Sequence, residues 1–526
     1  MQVEGLDTAV VDYINEIKSN YEQQIHELKN NVIKYQNRYL EIKEQYDLLV
    51  YKRFARSAEQ LLADDKQQLL FTSEKEEGEV SQKLKPEECT EVKPHQRKKP
   101  GRKPLDPNLP RKEIIIDIPE DEKTCACGTK LTRIGEETSE KLHIIPMQIY
   151  VEKTVRPKYA CRSCEGVESE GEAPTVRIAA VPPAIIPRGI ASPSLLSTIF
   201  TYKFERHLPY YRQEKLYEQI GADVSRQDMA NWQQQAYQKL SLLFELLKKA
   251  VKSGPVLQMD ETTVQVMGEE GREDTQKSYM WLARGGPPDK KVVWYEYHRT
   301  RAAYNAKAFL EGYQGYLQTD GYKGYDTAVE GNSGIIHVGC FAHARRKFFE
   351  AAKVSKMPQS AQEGIKHIRK LYCLEDELRG KYRKEDEKTL FLNERKAHAR
   401  PMLESFKKWL MKRQPDIPPS TLLGQAIDYS LKQWDKMAAY LESPYLTPDN
   451  NACENAIRPF VLGRKNWLFC KSPEGAESSC GIYTLIETAK QNGLIPASYL
   501  TALFEKAPRT DSPGDWEKLL PWNILI

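Results

Sequence analysis

From Ile14 onward, apolar or aromatic residues recur every seven positions, at Ile14, Tyr21, Leu28, Tyr35, Ile42 and Leu49, with Ile25, Val32, Tyr39 and Tyr46 interleaved. The two sets alternate by three and four residues, the a/d spacing that keeps one seam of a helix turned toward a partner helix. This predicts a coiled coil over residues 1–72 and a homo-oligomer built on it; the alternative is a single amphipathic helix folded back on the body. The periodicity stops there. Glu74 to Val92 carries seven acids and three lysines, whereas Lys93 to Lys112 carries eight basic residues, five prolines and the single acid Asp106. So proline-rich a stretch is an extended linker over residues 73–112 rather than a helix. Its basic core, with Arg97, Lys98, Lys99, Arg102 and Lys103, either lies along DNA with Arg102 in a minor groove or is simply solvated.

Residues 113–175 read as a zinc-ribbon-like unit. Cys125-Ala-Cys127 and Cys161-Arg-Ser-Cys164 flank a stretch rich in Ile, Val and Tyr, Lys141 to Tyr159, that reads as strand. Two cysteine pairs joined by a hairpin supply four thiolates to a tetrahedral, structural Zn2+ with no position open for water. A metal-free relic of such a site is the competing reading. Over residues 176–250 the pattern turns helical. Leu208 to Trp232 reads as a helix, a turn at Gly221 and a second helix capped by Ser225, a helix-turn-helix in which Arg226 opens the second helix. Such hairpins serve DNA binding or plain packing.

From Gly254 the period changes to two. Val256 to Val266, Ser278 to Ala283 and Val292 to His298 read as strands, followed by a helix near Ala302 to Leu310, a strand at Tyr316 to Thr319 and another at Gly334 to Cys340. Asp260 falls inside the first strand and Asp320 just past the fourth, so the two carboxylates can converge on one sheet surface. Alternation along the strand turns Glu261 to the opposite face, so its loss should cost little. Phe341 to Lys347 opens a helix with His343, Arg345 and Arg346. Residues 350–445 are helical and highly charged, an apparent insertion between a first catalytic part (251–349) and a second (446–500). The run from Asp449 to Pro459 restarts a helix that can bring Glu454 back to the sheet, leaving 501–526 as a C-terminal tail.

Three carboxylates from two strands and a helix form the oxygen-only set that two Mg2+ (or Mn2+) ions need. Ordinary hydrogen bonding of a buried Asp, and an i,i+4 pair between Glu454 and Arg458, compete with that reading. Past Glu454, Arg458, Arg464 and Lys465 form a basic set with Trp467, suited to neutralising phosphate or to a solvated surface.

Composition narrows the class only a little. Among 526 residues, 78 Lys plus Arg against 74 Asp plus Glu leave a net charge of +4, so any preference for nucleic acid lies in local clusters. The longest charge-free stretches, such as Gly189 to Tyr202, reach 14 residues, short of the roughly 18 that a membrane helix needs. Ten cysteines are too few for a disulfide scaffold, and the first residues lack a basic segment followed by an apolar core. The expectation is a cytoplasmic, reduced protein of several domains without membrane contact.

The runs QMDETTVQV, LQTDGYKGYD, GCFAHARRKFFE, DNNACENAIRPFVLGRKNWLF, TAKQNGLIPASYL and LLPWN resemble those of the insertion sequence 66 family of bacterial transposases. KPGRKPL, SEKLHIIP, RPKYACRSC and HLPYYRQEKLYEQIG resemble the family too, so the likeness extends from the coiled coil to Trp522. It implies a ribonuclease H-like catalytic domain with its Asp, Asp, Glu triad at Asp260, Asp320 and Glu454. Cys340-Phe-Ala-His343 is similar to a C-x-x-H signature found after the second Asp in such enzymes, with His343 contacting the scissile phosphate or orienting a triad carboxylate. The implied activity is metal-dependent hydrolysis at an element's ends followed by strand transfer. Its partners would be terminal inverted repeats, target DNA and small accessory proteins of the same element. The chain departs from the pattern twice: its first cysteine pair is C-x-C where C-x-x-C is usual, and Asn455 stands where Arg is commoner. A non-catalytic DNA-binding protein and a structure-specific nuclease are the rival functions.

Overall fold

The computed structural model describes residues 8–54, 112–113, 148–160, 176–354 and 358–526. The four cysteines expected to hold zinc, and Arg97, Lys98, Lys99, Arg102 and Lys103, lie outside the described residues. The chain divides into two units, one of residues 74–179 and one of residues 1–73 with 180–526.

In the smaller unit, β1 (Lys158–Ala160) pairs antiparallel with β2 (Val176–Ile178), joining the chain on either side of the second cysteine pair. The strand expected over Lys141 to Tyr159 is shorter where it is described: residues 148–157 form none. Ile149, Tyr150, Val151 and Val155 are all exposed. β-Branched and aromatic residues favour a strand only when a neighbour pairs with it, and the register leaves these without one among the described residues.

The larger unit begins with α1 (Thr8–Phe54), one helix spanning most of the heptad pattern. Tyr21, Leu28, Tyr35, Ile42 and Leu49 are exposed, as are Ile25, Val32, Tyr39 and Tyr46. A different side meets the body, where the buried Glu44 accepts a hydrogen bond of 2.9 Å from the amide of Leu422. The fold-back and a free seam therefore coexist.

Next come α2 (Pro193–Phe204), α3 (Tyr210–Gln219), α4 (Arg226–Lys239) and α5 (Ser241–Val251). The α3–α4 hairpin forms as its sequence predicts. Gly221 takes φ +80 in the turn, and Ser225 caps α4 by accepting from the Asp228 amide at 3.1 Å. Met229, Trp232, Gln233 and Ala236 are the buried residues of α4, while Arg226, Gln227, Asn231, Gln235 and Gln238 are exposed.

Three antiparallel strands follow: β3 (Val256–Val266), β4 (Lys277–Gly285) and β5 (Val292–His298). After α6 (Ala303–Phe309), β6 (Gly315–Gln318) pairs parallel to β3; after α7 (Lys323–Val329), β7 (Ile335–Val338) pairs parallel to β6. Strand order is β5-β4-β3-β6-β7. Five helices come next, α8 (Phe341–Val354), α9 (Pro358–Lys381), α10 (Lys388–Arg413), α11 (Leu422–Lys432) and α12 (Trp434–Ala438), with a core of their own around Phe348, Phe406 and Leu410. Within it Arg395, fully buried, donates to Glu375 at 2.7 Å and to the carbonyls of Tyr440, Ser443 and Leu446.

The chain returns to the sheet with α13 (Asn451–Trp467), β8 (Phe469–Cys470), which pairs with the far end of β3, and α14 (Pro473–Gln491). Along the edge strand β5, the hydroxyls of Thr488 and Thr484 on α14 accept from the amides of Val293 and Tyr295 at 3.1 and 3.0 Å. Groups that an open sheet edge would leave unpaired are thereby satisfied. The segment expected to be a tail is instead part of the main core. α15 (Pro496–Lys506) packs on α2 with Phe504 edge-on to Phe200, and after α16 (Pro513–Glu517) Leu519, Leu520 and Ile524 are buried with Trp516. Apolar side chains at these positions close the core over α5 and α2. Among the described residues, no helix is long and apolar enough to cross a membrane.

Candidate active site

The parallel pairing of β3 with β6 sets Gln258 opposite Gln318, and their side chains hydrogen-bond at 2.9 Å. Asp260 and Asp320 each lie two residues beyond that pair, so the shared register carries both carboxylates to the same level of the sheet. Asp260 Oδ1 accepts from the amide of Glu261 at 2.8 Å, and Asp320 Oδ1 from that of Tyr322 at 3.0 Å. Each bond holds its carboxylate against its own chain.

Glu454 arrives in the first turn of α13. The start of this helix is tied down at two points: Asn450 Nδ2 donates to the carbonyl of Met259, the residue before Asp260, at 3.0 Å, and the Asn450 amide donates to Cys340 Sγ at 3.2 Å. The sequence pointed to Glu454 but not to Asn450, although the asparagine lies in the same run; only the packing of α13 on β3 reveals its use. From α8, His343 Nδ1 stands 3.7 Å from Glu454 Oε1 and Arg346 reaches Oε2 at 3.4 Å. His343 thus faces the carboxylate of Glu454.

The electrostatics of Asp260 are those of crowded like charge. Burial first, then the negative charges of Glu261 and Asp320 and, more weakly, of Glu454, raise its acid from the ordinary 3.8 to about 8. Around it, Asn450 Oδ1, Asn451 Oδ1, His343 Nδ1 and Glu454 Oε1 are buried without a hydrogen-bond partner.

Glu261 requires a correction. Its carboxylate accepts from Arg301 Nε at 2.6 Å and from the Tyr325 hydroxyl, with the Arg301 guanidinium stacked 3.9 Å over the Tyr322 ring. It is engaged away from the Asp260 cluster, but its side chain is only 2% exposed. Removing it would strand the buried Tyr325 hydroxyl and leave the partly exposed Arg301 without its acceptor, so a cost in stability is expected. The alternation of β3 gave its facing, while its partners come from the loop before α6 and from α7 and lie 40 and 64 residues further along.

The remaining cations divide. Arg464 Nη1 is within 3.3 Å of both Thr262 and Thr263 Oγ1, bracing α13 on β3, and burial lowers its pKa. Arg458 is half-buried and Lys465 exposed. Arg345, also half-buried, lies electrostatically close to Tyr372. Arg226, well away in sequence, is 70% exposed beside Glu214.

A carboxylate within β3 and another just past β6, cations on the helices around them, and a helical hairpin with a polar outer face fit the class of proteins that act on DNA. Comparison with known proteins makes this specific. Residues 188–478 match the model of the transposase IS66 family, 122–165 the zinc-finger binding domain of transposase IS66, 484–522 the IS66 C-terminal element, and 41–114 a segment described as transposase C of IS166 homeodomain. The chain belongs to the IS66 family of transposases. Three uncharacterized proteins of Sinorhizobium fredii (strain NBRC 101917 / NGR234) are similar over most of their length. y4jD is 31% identical over 430 residues, 80% of this chain and 81% of its own; y4hP is 30% identical over 469, 85% and 81%. y4qI is 32% identical over 434, 80% and 77%. The protein is thus a transposase with DNA-binding and zinc-finger domains, and its family implies metal use.

Proposed function

We propose that Asp260, Asp320 and Glu454 form the catalytic triad of a DDE transposase on a ribonuclease H-like sheet. The reading rests on one arrangement: a carboxylate within β3 and one just past β6, each two residues beyond the paired Gln258 and Gln318, joined by a third from a helix whose start is tied to the strand beside Asp260. Under it, the helices between β7 and α13 are an insertion in the catalytic domain. A divalent cation fits the residues present, because the donors are all oxygens and the mutual repulsion at Asp260 is what positive charge relieves. The ions, Mg2+ or Mn2+, would be held by the three carboxylates and would supply a nucleophile at neutral pH and charge stabilisation at the phosphorus.

The chain's own residues do the rest. Asn450 and Cys340 set the α13 start so that Glu454 faces the strands, and His343 with Arg346 holds that carboxylate from the other side. Arg346, Arg345, Arg458 and Lys465 neutralise phosphates of the bound backbone, while Arg464 keeps α13 on β3. Cleavage at the element's end leaves a 3′ hydroxyl, which then attacks target DNA; one site serves both steps because only the nucleophile changes.

Terminal inverted repeats are the ligand of the zinc-finger domain, the basic linker and the helix-turn-helix. Arg226, Gln227 and Asn231 on the exposed side of α4 are of the types that read base edges. The exposed heptad seam of α1 joins two chains: Leu28→Lys with Tyr35→Lys should yield a monomer in sedimentation with an unchanged fold.

The deciding experiment is strand transfer from an end-containing duplex with Mg2+. Asp260→Asn, Asp320→Asn and Glu454→Gln should each abolish cleavage and joining while end binding persists. Wild-type strand transfer by any of the three would overturn the assignment, and cutting without joining by the native protein would make it a nuclease.

A further inference from the structure

Cys340 precedes α8 at its first turn, and its Sγ lies where two helix starts meet. The amide of Asn450, before α13, points at it at 3.2 Å, and the amide of His343 also hydrogen-bonds it. Three residues on, the His343 ring faces Glu454. Cys340 Sγ, one His343 ring nitrogen and one Glu454 oxygen all lie within 4.8 Å of one another. His343 Nδ1 and Glu454 Oε1 are buried without hydrogen bonds, whereas Glu454 Oε2 is engaged by Arg346. His343 Nδ1 and Glu454 Oε1, 3.7 Å apart and neither in a hydrogen bond, thus stand beside a sulfur on a frame tied by backbone bonds, and the other carboxylate oxygen is held by Arg346.

We infer that Cys340, His343 and Glu454 form a site for one borderline-soft divalent ion, such as Zn2+ or Co2+, distinct in chemistry from the oxygen-only triad. Thiolate, imidazole and carboxylate together suit these ions and not magnesium. Three protein ligands leave the fourth position open. The separations exceed those of ligands around one ion, so a small closure of the rings and chains onto the metal is required. Binding forms a metal–sulfur bond, and the thiol proton leaves to solvent. Since Glu454 has one carboxylate, an ion at this site takes an oxygen from the triad. Zinc would therefore inhibit magnesium-dependent strand transfer. That consequence rests on the catalytic role proposed for Glu454, whereas occupancy of the site does not.

The test uses the full chain carrying Cys125→Ser, Cys127→Ser, Cys161→Ser and Cys164→Ser, so that thiolates of the zinc-finger domain do not contribute, titrated with Co2+. One equivalent should bind with a thiolate-to-cobalt charge-transfer band. Cys340→Ser should remove the band and weaken binding by at least the ~10- to 100-fold typical of losing even an outer-shell partner of a metal. His343→Asn should weaken binding similarly, with the band shifted. Asp260→Asn should keep both band and affinity. Circular dichroism verifies that each variant is folded, and His343→Asn serves if Cys340→Ser is not. Absence of the band in the parent, or its survival in Cys340→Ser, overturns the inference, as does loss of the band in Asp260→Asn. The triad assignment is read separately, from strand transfer by Asp260→Asn with Mg2+ alone.

Discussion

Asp260 and Glu261 are consecutive carboxylates on one strand, and the protein treats them in opposite ways. Glu261 has a guanidinium and a phenol within bonding distance. Asp260 has an amide of its own chain and three negative neighbours, with no cation among the causes that shift its acid. A third buried carboxylate, Glu375, follows the first pattern, held by Arg379 and Arg395 at 2.7 Å each. Burial of a charge is tolerable when a partner comes with it. Where the fold supplies only more negative charge, the compensating charge has to come from outside. Such a contrast separates Glu261 and Glu375, whose charges are paired within the fold, from Asp260, whose charge is not.

The largest effect that tests this contrast is kinetic. Asp260→Asn should cost several kcal/mol of transition-state stabilisation, roughly a thousandfold or more in strand transfer, yet leave the unliganded fold at least as stable as the parent. Glu261→Gln should do the reverse, costing about 1–3 kcal/mol of folding stability through stranded donors while a residual rate remains in the protein that stays folded. Equal kinetic losses from both, at equal stability, would erase the distinction between the two sides of β3. An exposed carboxylate such as Glu273 is the appropriate neutral control.

Arg395→Met examines the satisfied pattern away from the site. It leaves Glu375 buried with Arg379 alone, so a loss near 3 kcal/mol, about the low end for a broken buried pair, is expected in denaturant unfolding. Smaller loss would mean that the helical core does not depend on its internal charge.

A pH titration of stability follows from the raised acid of Asp260. Between its ordinary value of 3.8 and about 8, the folded chain holds a proton that the unfolded chain has released. Stability without divalent ions should therefore fall as pH rises through that window and level off above it. Asp260→Asn should remove this component, and adding Mg2+ should flatten the slope for the parent protein. A slope unaffected by either would place the repulsion elsewhere.

The smallest effect expected is at Glu44, whose carboxylate caps the start of α11 from another helix. Glu44→Ala should cost about 1 kcal/mol, visible as a lower unfolding midpoint, with the heptad seam and strand transfer unaffected.

Much of this molecule is set by local pattern. Heptads specify α1, period-two runs specify β3 to β5 to within one or two residues, and Gly221 with Ser225 specifies the α3–α4 turn, because backbone sterics and capping act between neighbours in the chain. The elements that carry the three carboxylates proposed as a triad were legible for a related reason: Asp260 sits in a strand, Asp320 just past one, and Glu454 at a helix start. What tertiary structure alone decided is which charges are compensated. Arg301 and Tyr325 reach Glu261 from 40 and 64 residues away, and His343 and Arg346 reach Glu454 across 111 and 108. Asn450 ties its helix to a strand 191 residues earlier, and the segment read as a tail becomes core because α15 finds α2. Electrostatic and packing partners are chosen by distance in space. Sequence spacing constrains that distance within an element and hardly at all across a loop, so the facing of Glu261 was readable from its strand and its necessity was not.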